Sequence, residues 1–289
     1  MNEPDRRLQA DFMETLAESS SSRLVRRRNQ GGRFLRRCSG LLLVYLFPIA
    51  LQLRADVLIS ETTSAEVGGH KIEGQRIVMI KGMKLRVETR QGKADRVMIY
   101  NIESQQQITL DSEKRQAKVK KLASLEQAAE RKVPSRSVKS SLTATGEHDQ
   151  VLEKPCVLYD FSIRVPVNGG SDPTLVMTGT TCIGKNLPGL KEYGDFATAA
   201  KKSGLILGFT SENMVFVAFA HAQTELYRII AEQGVPLKVQ TATHFDGGFL
   251  AGLLNKTFSG SRNDQVVAIS LDPLPSENFS IPQGWKSSE

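Results

Sequence analysis

The chain has 289 residues, 40% hydrophobic and 24% charged, ordinary proportions for a globular protein with enough apolar material for a core. Its net charge of +7 is unevenly spread: residues 1–55 hold ten Arg and five acidic groups, and the remaining 234 carry 28 basic against 26 acidic groups. So nearly neutral a main domain argues against a phosphate-tracking surface, and with it nucleic-acid binding.

Residues 1–40 are polar, Ser-rich and Arg-rich, with Arg26, Arg27 and Arg28 followed by Arg33, Arg36 and Arg37; a disordered basic segment is expected there. The apolar run Leu41–Leu53 follows, interrupted by Pro48 and Gln52. A cationic stretch before about a dozen apolar residues matches a signal peptide, and a spanning helix needs about 20. The positive flank belongs on the cytoplasmic side, so residues 56–289 are expected as one exported, periplasmic domain. Residues 41–55 then hold the h-region and cleavage zone. Neither Leu53-Arg54-Ala55 nor Ile49-Ala50 satisfies a small-x-small site well, so an uncleaved inner-membrane anchor is the alternative. Cys38 precedes the apolar run, where a lipidated cysteine would follow it. Met13 is an alternative start.

From Asp56 onward the dominant period is two. Met83, Leu85 and Val87 alternate with Lys84, Arg86 and Glu88, which puts one face of a strand on a core and the other in water. Tyr159, Phe161 and Ile163 repeat the pattern, as do Leu237, Val239 and Phe245. Further strands are expected at 57–67, 75–80, 96–101, 106–110, 116–122, 138–144, 174–183 and 265–271. Turn residues at Gly82 and at Asn168–Asp172 join neighbouring strands as hairpins. The short intervals favour an antiparallel meander over parallel crossovers.

Helical spacing predicts helices over Ser124–Arg131, Lys191–Ser203 and Ala222–Gln233, the last closed by Gly234 and Pro236. Two apolar runs fit the meander less easily: Leu205–Phe209 with Met214–Ala220, and Phe249–Leu254 in its setting of Gly247, Gly248 and Gly252. They read as ordinary core or, more sharply, as a mobile lid over an apolar cavity.

Cys156 and Cys182 fall in adjacent strands of the exported part. In an oxidising compartment they form either a disulfide or two buried free thiols. No metal site is expected, because there is no CxxC and His70, His148, His221 and His244 are scattered. No P-loop, dinucleotide fingerprint or nucleophile elbow is present. No catalytic residue and no cofactor are therefore expected.

Four short segments carry a family resemblance. Ile80-Lys-Gly-Met-Lys-Leu-Arg-Val-Glu88 resembles the hairpin, and Phe279-Ser-Ile-Pro-Gln-Gly-Trp285-Lys286 the closing segment, of an uncharacterised family of exported bacterial proteins. Gly179–Cys182 with Leu187–Tyr193 resembles its strand-to-helix segment, and Ile230–Leu237 its helix-to-strand junction. Cys182 and Trp285 depart from that family's usual aromatic and Tyr. The resemblance implies a fold similar to the lipoprotein carriers LolA and LolB: a strongly curved antiparallel sheet, an incomplete barrel closed by two or three helices.

Two functions follow as expectations. One is a non-enzymatic envelope protein binding a lipid, acyl chain or lipidated peptide in an apolar pocket. Its lining would be Met83, Leu85, Val87, Tyr159, Phe161 and Ile163, and its lids Phe216, Phe219 and Phe249. The other is a structural module docking an envelope protein by strand addition.

Overall fold

Period-two alternation becomes a single curved sheet in the computed structural model, which describes residues 56–91, 94–168 and 172–288. The readings placed on residues 1–55, including the export segment and Cys38, lie outside the described residues. Six strands follow one another as an antiparallel meander: β1 (Val57–Val67), β2 (His70–Lys81), β3 (Lys84–Gln91), β4 (Ala94–Asn101), β5 (Gln106–Asp111) and β6 (Gln116–Lys121). A second meander runs through β7 (Lys139–Val151), β8 (Lys154–Pro166), β9 (Thr174–Gly184), β10 (Val235–Asp246) and β11 (Gly260–Ser270). The two join where β11 pairs antiparallel with β1. The short β12 (Lys286–Ser288) adds to β6 in parallel. The twelve strands thus form one sheet with β12 and β7 at its edges, not closed into a barrel.

Local chemistry explains two of its features. Lys81 pairs with Lys84, leaving a two-residue turn whose first residue, Gly82, has a φ of 57°, a conformation that suits glycine. Gly179 serves a close approach: a Cβ there would fall 1.8 Å from the Gln240 carbonyl oxygen and 2.9 Å from Phe161 Cζ.

The expected strands are present, several longer than the alternation alone indicates; β2 begins at His70 and β7 continues to Val151. Among the described residues four helices accompany them: α1 (Leu122–Lys132), α2 (Leu190–Lys202), α3 (Met214–Ala231) and α4 (Gly248–Phe258). The run Met214–Ala220 is the first half of α3. Asn213 caps it, its side-chain oxygen accepting from the Val215 N–H at 3.0 Å, which satisfies one of the free donors of a helix start. Phe249–Leu254 belongs to the fourth helix, whose glycines mask its helical period in the sequence.

Helices α1 to α3 cover one face of the sheet. Tyr159, Phe161 and Ile163 of β8 share a core cluster with Leu125 and Ala129 of α1 and Val217 and Ile229 of α3. Val57, Ile59, Ile80 and Leu85 share another with Tyr193 and Phe196 of α2. Each fully buried side chain of this size contributes about 1.5–3 kcal/mol. On the opposite face, Ile99, Ile108 and Leu110 are covered by the C-terminal segment through Leu274 and Phe279, with Trp285 packed alongside. That strap is fastened by charge. Lys81 Nζ lies 2.6 Å from Asp56 and donates to the Leu274 carbonyl, and Asp56 accepts from the Leu274 N–H.

Candidate functional site: an apolar groove beside the fourth helix

The site begins at the glycine pair after β10. Gly247 has a φ of 82°, and a Cβ on it would fall 2.0 Å from Asp172 Oδ1, so the chain turns into α4 through space only glycine leaves free. Asn255 then fixes the helix. Its Oδ1 accepts from the Phe245 N–H at 2.7 Å, and its Nδ2 donates to the Phe245 carbonyl at 2.9 Å. On the inner side Ala251 is buried, and Leu254 and Phe258 pack against the core. The Phe258 ring meets Phe216 edge-on at 6.0 Å.

The outer side of α4 is also apolar. Phe249 is 93% exposed, Leu253 59% and Leu250 54%. Met214 and Phe216, at the start of α3, are 44% exposed each. These five are the majority of the eight exposed large hydrophobic residues among the described residues. Isolated exposed hydrophobics are ordinary, but clustering at one place marks an interaction site. Between α4, the start of α3 and the β8–β9 connection lies a groove of about 420 Å³, lined by Val167, Pro173, Met214, Leu250, Leu253 and Leu254, among others. Lys132, Glu212 and Asn213 supply its polar rim.

A second cavity, of about 570 Å³, is of different character. It is a broad depression over β1, β2, β9, β10 and β11, lined by polar residues such as Ser64, Glu66, Lys71, Glu73, Gln240 and Asn263. Strand alternation puts these side chains on the face opposite the helices. Thr180 already donates to Gln240 there.

Charged groups also lie under the helices, as structural pairs. Arg76 Nη1 is 3.2 Å from Glu61 Oε2, and Asp264 accepts from Thr63 and Arg262 at 2.6 and 2.7 Å. Burial pushes the Glu61 carboxyl above its ordinary value, opposed chiefly by Arg76. Burial likewise pushes the Tyr100 hydroxyl up to about 12 and raises Tyr193 and Tyr227. Tyr193 and Tyr227 meet edge-on at 5.2 Å. Such shifts accompany catalytic sites and buried ion pairs alike. Among the described residues no cluster of three or more His, Cys, Asp or Glu is arranged to hold a metal.

The sequence-predicted pocket residues are dispersed. Leu85, Tyr159, Phe161 and Ile163 are 5% exposed or less, in two separate core clusters, and Val87 packs against the second of these. Met83 sits in the β2–β3 turn. None of the six lines the groove. Leu85, Tyr159, Phe161 and Ile163 instead pack beside residues of α1, α2 and α3. Of the three lid residues, Phe219 packs against Phe245 with ring centroids 6.0 Å apart, Phe216 is half exposed, and Phe249 projects into solvent. Cys156 and Cys182 are joined as a disulfide between β8 and β9. Val167 and Pro173 escape sequence reasoning, since nothing local connects the β8–β9 connection to the starts of α3 and α4.

No family model and no curated protein matches the chain. Solved structures similar to it include an uncharacterized conserved protein from Thermus thermophilus, 10% identical, with 82% of this chain and 91% of that one covered and a TM-score of 0.37. PNGF-II is 12% identical over 81% of this chain and only 30% of its own, with a TM-score of 0.32. A candidate outer membrane lipoprotein-sorting protein domain from Vibrio parahaemolyticus is 6% identical over 78% and 89%, with a TM-score of 0.31. Likenesses this distant carry no argument about what this chain binds. Among the described residues no helix is long and apolar enough to cross a membrane.

Proposed function

We propose that this chain is a non-enzymatic envelope protein that holds an acyl chain, of a lipid or a lipidated peptide, in the groove beside α4. The observation that carries this reading is the groove itself. Its volume of about 420 Å³ falls within the roughly 300–1,000 Å³ of small-ligand sites, which are mostly apolar with a few polar groups at the rim. Binding would be driven by apolar burial, about 25 cal/mol per Å² before ordering costs are subtracted. The basic segment and apolar run at residues 26–53 support export, and the charged pairs under the helices are accounted for as structural contacts.

The test is native mass spectrometry of the protein purified from a bacterial periplasm, with lipid extraction of whatever co-purifies. A stoichiometric acyl-chain adduct is expected, and Leu250→Glu or Leu253→Glu should remove it without unfolding the protein, because both positions are more than half exposed. A clean mass, under conditions that preserve a known carrier's ligand, would reject the reading.

One observation favours the alternative, docking of an envelope protein. Among the described residues the thirteen-residue β7 pairs only with β8, which leaves its outer edge open for strand addition. That edge is blunted by a bulge between Ala144 and His148 and by Glu147 and Asp149, so the groove is preferred.

A further inference from the structure

The groove and the exposed tip of α4 share residues. Leu250 and Leu253 line the groove and are also more than half exposed beside Phe249. We infer that the α4 tip docks the mouth of the groove onto the surface of a lipid bilayer, so that an acyl chain passes between the two without crossing water. This inference rests on the acyl-binding reading above.

Three observations favour a bilayer over a protein partner. First, α4 is a short helix whose inner side is fixed by Ala251 and Asn255 and whose outer side still holds Phe249, Leu250 and Leu253 in water, apolar surface that a bilayer would cover. Second, Phe249 projects almost wholly into solvent. A protruding side chain enters a deformable apolar phase readily, whereas a protein partner would have to supply a matching pocket. Third, cations lie at the groove and on α4. Lys132 lines the groove and Lys256 is exposed on α4. Arg131, Arg136 and Lys139 lie close to Lys132 in the chain, and none of the five takes part in an ion pair among the described residues. Glu212 lines the same groove and Asp172 touches Gly247. The attraction to anionic headgroups should therefore be modest and salt-sensitive, with apolar insertion carrying most of the binding.

The decisive experiment places a reporter on the tip. Residues 41–53 could carry the full chain onto vesicles by themselves, so bulk flotation does not discriminate. Trp285 is the only tryptophan; in a Trp285→Phe background, Phe249→Trp and, separately, Leu253→Trp read the environment of α4, and Val267→Trp, at a distant exposed position on β11, serves as control. Circular dichroism checks that each variant is folded. With vesicles of phosphatidylethanolamine and phosphatidylglycerol, the α4 reporters should shift to shorter wavelength and be quenched by brominated acyl chains. The control should not respond. Phe249→Glu should weaken the response of the Leu253→Trp reporter roughly tenfold or more in lipid concentration, as expected for loss of a buried aromatic. Silent α4 reporters on vesicle-bound protein, or an equal response at Val267→Trp, would overturn the inference. Decanoate binding followed by calorimetry without vesicles separates the two ideas. Decanoate binding with silent reporters defeats docking alone, and responding reporters without decanoate binding defeat the acyl-binding reading alone.

Discussion

Helices α3 and α4 are both rich in apolar residues, yet only one of them is covered. In α3, Val217, Ala218 and Ala222 are wholly enclosed, and Ala220, Ile229 and Ile230 nearly so, because the helix lies against β8, β9 and α1 over most of its length. In α4 only Ala251 is buried, and Phe249 is almost fully solvated. The same residue types therefore act at different stages. Apolar surface on α3 leaves water when the chain folds. Surface on the outer side of α4 is still in water afterwards and can lower the free energy only on binding something else.

The contrast breaks most visibly in the core that α3 covers. Phe161→Ala removes a ring enclosed between β8 and the helices, and should cost about 3–5 kcal/mol, measured by urea denaturation. A loss below about 1 kcal/mol would show that the space around Phe161 is not filled. It would also restore the pocket that the alternation of β8 first suggested.

Next in size is the covalent tie behind that core. The Cys156–Cys182 bond closes a loop of 26 residues, and the chain-entropy model assigns such a loop about 3.5 kcal/mol. Replacing both by Ala should approach that loss in oxidising buffer, with no further effect of reductant on the double variant. If the wild type is equally stable with and without reductant, the tie contributes nothing that the β8–β9 ladder does not already supply.

A smaller effect sharpens the point that α3 is enclosed along its polar positions too. His221 is 4% exposed, and its Nε2 is buried without a partner. Burial lowers its pKa below the ordinary value, with the Glu130 charge and a hydrogen bond to the Ala129 backbone acting in the opposite direction. The unfolded chain therefore takes up a proton that the native state resists. Stability should hold above about pH 7 and fall as the pH drops through the unfolded value near 6.5. A loss of stability between pH 7 and 5.5 is therefore expected, flattened in His221→Gln. An unchanged slope in that variant would locate the titration elsewhere.

How much of this was legible follows from what each signal encodes. The strands were, because alternation of Leu85 with Arg86 or Phe161 with Ser162 states directly which side faces a core. Alternation does not say whether that core is empty: a face that reads as a pocket lining is the same face that packs beside α1, α2 and α3. The start of α3 was missed because Met214–Ala220 is apolar nearly throughout and shows no stripe. In α4, Gly248 and Gly252 weaken the helical signal. The strap of Leu274 and Phe279 had no local sign of what it covers, and β12, three residues long, exists only through its pairing with β6. The groove was least legible, since it is made by Val167, Met214 and Leu253 meeting from three separate parts of the chain.

The smallest expected effect tests the other side of the comparison. Phe249→Ser deletes the largest exposed side chain of α4, and because that ring gains almost nothing on folding, the change in stability should stay within about 0.5 kcal/mol. Phe216→Ser is the informative neighbour: its ring is half covered and meets Phe258 edge-on, so a loss of about 1 kcal/mol is expected from the broken aromatic pair and lost burial. Equal small effects at both positions would mean that the two rings belong to one surface held for binding. A large loss at Phe249 would instead mean that its exposed position is not the one it occupies in solution, and that α4 closes over the groove when nothing is bound.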